Sequence, residues 1–294
     1  MMRSITTLER MGQQDARLIV EQAKGMAEAK SVDDYLTDKT IVQLFAEPDI
    51  AELLCCTAAV RQMSGQVVHF PPREEWRRQA GKFTLKLLGA VSYYMDAMLV
   101  NGLDVSAMKP EEEVGFPVIN CGGPDSHPAR ALADVACMMQ HVRGELGGFK
   151  VCWLGGPSGE LCSLITASGF FGFPLHIFAP ASPRLEMVKD LARELAASGA
   201  VFDASKAEAL ADATFCFIGS REDMDIDTAQ QWVVSPSFLR GVKPNVQLLL
   251  GASPHHSLLL DTRFRRAGEG HSLLLRQAEF RLKVYKRFFH YIFD

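Results

Sequence analysis

The chain has 294 residues, more than one hydrophobic core usually serves, so two domains are expected. Apolar residues make up 48% and charged residues 22%, with a net charge of −4, which fits a globular protein and leaves no concentrated basic stripe for nucleic acid. The N-terminal segment has no apolar h-region and no run approaches 18 apolar residues, so neither a signal peptide nor a membrane span is expected.

Thr6 or Thr7 can cap a first helix drawn over Arg10–Lys30. The β-forming run Thr40–Phe45 predicts a strand, and Pro48 opens a helix over Ile50–Met63 that ends at Gly65. Gln66–Phe70 reads as a second strand, Pro71–Arg78 as a polar loop, and Gly81–Tyr94 as a helix with Leu85, Leu88, Val91 and Tyr94 on one face. Strands at Ala97–Val100 and Val118–Asn120 follow, then a helix from His127 to about Val142 with Pro128 suited to its first turn.

Gly147–Gly148 marks a boundary, after which a second series begins. It comprises a strand Val151–Leu154, a helix Gly159–Gly169, a strand Leu175–Phe178 and a helix Glu186–Ser198 closed by Gly199. Strands Phe215–Ile218 and Gln247–Leu250 and a long amphipathic helix over Ser272–Asp294 complete it. This alternation predicts an α/β protein with two doubly wound domains, each holding a parallel sheet.

The turn Gly155-Gly-Pro-Ser-Gly159 is not a dinucleotide fingerprint. Its glycines fall as G-G-x-x-G, Pro157 removes an N–H that would face a pyrophosphate, and no acidic residue closes a clean second strand about 20 residues on. It reads as a structural strand-to-helix turn, and no cofactor is expected. The seven cysteines, at 55, 56, 121, 137, 152, 162 and 216, form no CxxC and lie mostly in apolar segments. Buried, reduced thiols in a cytoplasmic protein are the expectation, with no metal site.

Four stretches share an order and spacing. Leu44-Phe-Ala-Glu-Pro48 with Thr57-Ala-Ala-Val-Arg-Gln-Met-Ser-Gly65 resembles the pattern LFxEPSTRTRxSFExAxxxLG. Tyr93-Tyr-Met-Asp-Ala-Met-Leu-Val100 is similar to YxDAIVxRH, and Pro117–Asp134, with its His127-Pro-Ala-Arg130, to PVINAGDGxxxHPTQALLD. Arg276–Tyr285 resembles a terminal QxxNGxxVRxALL helix. These are patterns of the aspartate/ornithine carbamoyltransferase family, the last one of its aspartate branch.

The resemblance implies a carbamoyl-phosphate-binding-like domain over 1–142 plus the helix 272–294, which packs back on it, and an amino-acid-binding-like domain over 143–271. It also implies a homotrimer with Pro71–Gly81 as the loop that completes a neighbour's pocket, and an amino-acid-like ligand. In the family, the S-T-R-T-R signature grips the phosphate through hydroxyls, guanidinium forks and a helix N-terminus. An Arg after DAIV and the His of HPxQ hold the carbamoyl oxygen, so that positioning and electrostatics do the chemistry.

This chain departs from that pattern at the signature. Asp49-Ile-Ala-Glu-Leu53 stands where S-T-R-T-R is expected, and Asn101-Gly102 replaces the Arg-His pair. Arg130 replaces the Gln of HPxQ, Glu160 falls near the position of a second-domain arginine, and Ala252-Ser-Pro-His-His256 stands in the HPLPR loop. Two lost guanidiniums and two gained carboxylates change the local charge by about −4, and one charge at about 4 Å is worth about 4 kcal/mol at an effective dielectric of about 20. The expectation is a scaffold without the ordinary phosphate site, kept for assembly or regulation as a homotrimer or with an enzyme partner.

Two other readings stay open. In a diverged enzyme His127 polarises a carbonyl or moves a proton, Asp49 or Glu52 binds an amine, and Arg221, with Asn101, Glu160, Pro254 and His255 nearby in the pattern, serves an amino-acid-like substrate. In a relocated carbamoyltransferase site Arg77, Arg78, Lys82 and Arg130 receive the phosphate. Arg77, Arg78 and Lys82 could instead pair with a neighbour's Asp49 and Glu52. Asp49 and Glu52 also suit a helix N-terminus without any ligand.

Overall fold

The computed structural model describes residues 3–46, 49–70, 92–195, 199–221, 232, 246–251 and 272–294. The chain divides into two compact units, Met1–Ala136 with Ala278–Asp294, and Cys137–Gln277.

In the first unit, helices α1 (Leu8–Met11) and α2 (Gln13–Gly25) lead into β1 (Thr40–Phe45), α3 (Ile50–Gln62), β2 (Gln66–Phe70) and β3 (Ala97–Asn101). The short α4 (Pro110–Glu113), β4 (Val118–Asn120) and α5 (Pro128–Val142) follow, the unit boundary falling inside α5. Among the described residues the sheet is wholly parallel in the order β2-β1-β3-β4, with Val42 paired to both Val68 and Met98. β3 is buried along its whole length, which explains its unbroken apolar run in place of an alternating one. Val42, Leu44, Met98, Val100, Met108, Phe116 and Val118 form one core on this sheet.

The first helix is not continuous. Thr7 caps α1 through its hydroxyl, which accepts from the Arg10 N–H at 3.3 Å, but Gly12 at φ 84° breaks the run and restarts it as α2. Residues beyond Gly25 leave the helix.

The second unit carries β5 (Val151–Leu154), α6 (Gly159–Phe171), β6 (Leu175–Phe178), α7 (Pro183–Glu194), β7 (Ala200–Phe202), α8 (Lys206–Leu210), β8 (Phe215–Ile218) and β9 (Gln247–Leu250). Its strands are parallel in the order β7-β6-β5-β8-β9 among the described residues. α7 starts earlier than helical spacing indicates, because Ser182 caps it and Pro183 occupies its first turn. The final helix α9 (Leu274–Phe293) enters the first unit at Ala278. There it buries Tyr285, Phe288, Phe289 and Ile292, each worth about 1.5–3 kcal/mol of transfer free energy as an upper figure. Lys283 Nζ also donates to the Met26 carbonyl at 2.9 Å, and Lys286 Nζ to that of Ser31. The terminal helix therefore packs on the first domain, and the α/β reading with two parallel sheets holds.

Candidate functional site

The strand order places one natural site in the first unit. From β1 the chain moves outward to β2, then crosses back to β3 on the other side of β1. The carboxyl ends of β1 and β3 thus diverge into loops at a topological switch point, where open parallel sheets take ligands. Phe45 pairs with Asn101 there, and the Ala46 N–H reaches the Asn101 carbonyl at 2.9 Å.

Five of the residues singled out by sequence, Asp49, Glu52, Asn101, His127 and Arg130, gather at this end. Asp49 caps α3, its Oδ1 accepting from the Glu52 N–H at 3.0 Å. Glu52, one turn in, is completely buried. Arg130, on the first turn of α5 and 4% exposed, turns its guanidinium onto both carboxylates. Its Nη2 donates to Asp49 Oδ2 at 2.8 Å and to Glu52 Oε2 at 3.3 Å, and its Nε donates to Glu52 Oε2 at 3.3 Å. His127 stands 3.6 Å from the same Oε2 through Nε2, an electrostatic contact longer than a hydrogen bond.

The terminal helix supplies the remainder. Arg281 Nη1 lies 3.5 Å from Glu52 Oε2, and the buried Tyr285 hydroxyl donates to Glu52 Oε1. Neither residue carried a site assignment from sequence. The signal was present: Arg281, Tyr285, Phe288 and Ile292 recur at helical spacing, and an arginine on an otherwise apolar face implies a buried acidic partner.

Electrostatics follow from this enclosure. Burial alone would push the Glu52 carboxyl up, but His127, Arg281 and Arg130 together hold it well below the usual carboxylate range. Glu52 is thus a fixed anion and a poor proton acceptor. Burial and the Glu52 charge raise the Tyr285 phenol far above its ordinary value, so it remains a donor. The neighbouring thiols are likewise held neutral: burial first, then Glu52, raises Cys55, and burial with the Cys121 contact raises Cys56. The Cys56 thiol donates a weak hydrogen bond to the Cys121 sulfur at 3.7 Å, and neither is in a disulfide.

His127 has a defined role at the start of α5. Its Nδ1 accepts from the Arg130 N–H at 3.4 Å, which assigns the ring proton to Nε2, on the side of Glu52. Asn101 is buried and donates through Nδ2 to the Cys121 carbonyl at 2.7 Å. Gly122, at φ 123°, lies between these two side chains: a Cβ there would stand 2.8 Å from Asn101 Nδ2 and from the His127 ring. No other residue type fits that position without moving them.

The two remaining described candidates belong to the second unit. Glu160 is buried in the first turn of α6, whose cap is Ser158, and Arg221 is exposed just after β8. Arg77, Arg78, Lys82, Pro254 and His255 lie outside the described residues. The glycine turn after β5 is structural: the Gly155 N–H bonds the Phe178 carbonyl at 3.2 Å and the Gly156 N–H bonds that of Ser220 at 2.8 Å, so neither is offered to a phosphate. Among the described residues no group of three or more His, Cys, Asp or Glu could hold a metal ion, and no helix is long and apolar enough to cross a membrane.

Comparison with known proteins agrees with this architecture. Residues 3–140 match the model of the aspartate/ornithine carbamoyltransferase carbamoyl-P binding domain. An ornithine carbamoyltransferase of Ruegeria pomeroyi is 30% identical over 176 residues, 57% of this chain and 56% of that protein. An aspartate carbamoyltransferase catalytic subunit of Methanococcus vannielii is 27% identical over 159 residues, 52% of each. The matched region thus spans a little over half the length of these relatives. The crystal structure of ornithine carbamoyltransferase from Thermus thermophilus superposes with a TM-score of 0.80 at 18% identity, covering 99% of both chains, and establishes the shared fold.

Proposed function

We propose that this chain belongs to the aspartate/ornithine carbamoyltransferase family, a reading supported by the first-domain match and by the named relatives, and that it keeps the scaffold for assembly or regulation and does not carry out ordinary carbamoyl transfer. One observation carries the reading. At the switch point of the first sheet, where an anionic substrate would be gripped, the anion is the protein's own Glu52.

Charge and geometry both support it. Asp49 and Glu52 are balanced by Arg130 and Arg281, so the cluster is neutral before His127 is counted. A dianionic phosphate entering it would meet a carboxylate already bound to the same cations, at a cost of several kcal/mol for each like-charge contact at about 4 Å. The relocated-phosphate alternative draws on Arg130, whose guanidinium is committed to Asp49 and Glu52. The diverged-enzyme alternative uses His127 as an acid or base, yet one ring nitrogen caps α5 and the other faces Glu52.

The role left to such a scaffold is association, as a homotrimer or with an active enzyme subunit, with an amino-acid-like ligand as the class of regulator. Isothermal titration with carbamoyl phosphate and with phosphonoacetyl-aspartate tests the core of the proposal. Neither should bind with micromolar affinity, and no citrulline or carbamoyl-aspartate should form from ornithine or aspartate. Both acceptors are needed, because the similar proteins include ornithine and aspartate carbamoyltransferases. Micromolar binding of carbamoyl phosphate would overturn it, and sedimentation of the purified chain reads its assembly state.

A further inference from the structure

The groups around Glu52 form a built anion site in their own right. Two guanidiniums, an imidazole N–H and a phenol converge on one carboxylate, from α5, from the residue before it and from the terminal helix. Arg130 is 4% exposed, His127 7%, and Tyr285 fully buried. Two guanidiniums and the imidazole N–H approach a single oxygen, Oε2, while the phenol takes Oε1. This pattern follows the two oxygens of a carboxylate and owes little to the helix that carries Glu52. Asp49 remains as a counter-charge on the outer side of Arg130 and is 15% exposed.

We propose that the first unit holds a small-carboxylate site, built from Arg130, Arg281, His127 and Tyr285, which its own Glu52 occupies. The inference rests on the reading above that Glu52 is a resident anion. It goes further by naming the receptor groups and the ligand class, a planar monoanion of acetate size. Truncation of glutamate to alanine removes the equivalent of one acetate and leaves a methyl group as lining. The vacated donors then carry excess positive charge in a desolvated position, which is the condition for anion uptake.

The experiment is chemical rescue of Glu52→Ala, followed by thermal denaturation with 0 to about 100 mM sodium acetate against sodium chloride at constant ionic strength. Wild type should respond equally to the two salts. Glu52→Ala should melt well below wild type and recover saturably with acetate and not with chloride. At about 100 mM acetate a Kd of about 1–10 mM shifts the folded-to-unfolded ratio about 10- to 100-fold. Glu52→Gln, which fills the same space with a neutral amide, should not be rescued, and Glu52→Ala combined with Arg130→Met should lose the response. Inorganic phosphate, tetrahedral and larger, should rescue less than acetate.

Equal responses of Glu52→Ala to acetate and chloride would overturn the proposal, as would equal rescue of Glu52→Gln. Should Glu52→Ala be insoluble, it is refolded from denaturant with and without acetate, and failure of acetate to raise the folded yield counts equally against the site. The outcome is separable from that of the proposed function: micromolar binding of carbamoyl phosphate to wild type would sink that reading whatever acetate does to the variant.

Discussion

Arg130→Met is the sharpest probe of the buried network. The methionine keeps much of the side-chain volume and removes the Nη2 donor to Asp49 Oδ2 and two donors to Glu52 Oε2. Glu52 stays fully buried, with Arg281 at 3.5 Å as its remaining guanidinium among the described residues. Breaking a buried ion pair by deleting one partner costs about 3–5 kcal/mol, because the other charge is stranded. At about 2–4 °C per kcal/mol the melting temperature should fall by about 6–20 °C. Differential scanning calorimetry with urea denaturation at pH 7 reads this directly. The decisive comparison is the double variant Arg130→Met with Glu52→Gln, in which the stranded charge is also gone. Its loss should fall short of the sum of the two single losses by about 2 kcal/mol. A drop below about 2 °C for Arg130→Met, or strict additivity in the double variant, would refute the claim that these groups form one network.

Three further outcomes are expected. Glu52 has a folded-state carboxyl held far below its ordinary 4.5 by His127, Arg281 and Arg130 against the opposing effect of burial, so its stabilisation is complete above about pH 5 and is lost as pH falls through 4.5 toward the folded value; denaturation midpoints from pH 7 to about pH 2.5 should decline more steeply for wild type than for Glu52→Gln, and parallel curves would contradict this. Tyr285→Phe removes the hydroxyl donor to Glu52 Oε1 and should cost about 1–3 kcal/mol in urea unfolding, more than Tyr291→Phe, whose hydroxyl donates to the half-exposed helix residue Asp15. Gly122→Ala should destabilise by more than about 2 kcal/mol, since its methyl meets Asn101 and His127 at 2.8 Å, whereas Gly115→Ala, also at positive φ but in open space, should cost only about 1 kcal/mol; nearly equal midpoints for the two would dismiss the crowding argument.

The readable part of the fold is the part that one local rule decides. β3, β5 and β8 announce themselves because strands buried on both faces carry near-continuous apolar runs, and β1 does so through its β-forming residues despite the buried Gln43. β7 does not, because Ala200–Phe202 is only three residues long and lies at the sheet edge with its central Val201 exposed. The division of the first helix depends on Gly12 adopting φ 84°, which composition does not compel. At the site, resemblance picked out Asp49, Glu52, His127 and Arg130 because they fall inside matched motifs. It did not pair them. Arg281 and Tyr285 reach Glu52 from more than 200 positions away, and only the return of α9 to the first unit makes them neighbours.

That return also changes the charge argument. Counting the α3 segment alone, a local change of about −4 makes the region repel any anion. Counting the folded cluster, Arg130 and Arg281 balance Asp49 and Glu52, and no strong net field remains. Anion exclusion at this point therefore comes from occupancy more than from repulsion: the donors are present, and an internal carboxylate holds them. The two causes make different predictions for the same substitution. If repulsion ruled, neutralising Glu52 by any means would suffice to admit an anion, and Gln would serve as well as Ala. If occupancy rules, neutralisation without vacated space achieves little, and Glu52→Gln stays indifferent to acetate while Glu52→Ala responds. The position of the donors around two oxygens, in place of a diffuse positive surface, favours occupancy.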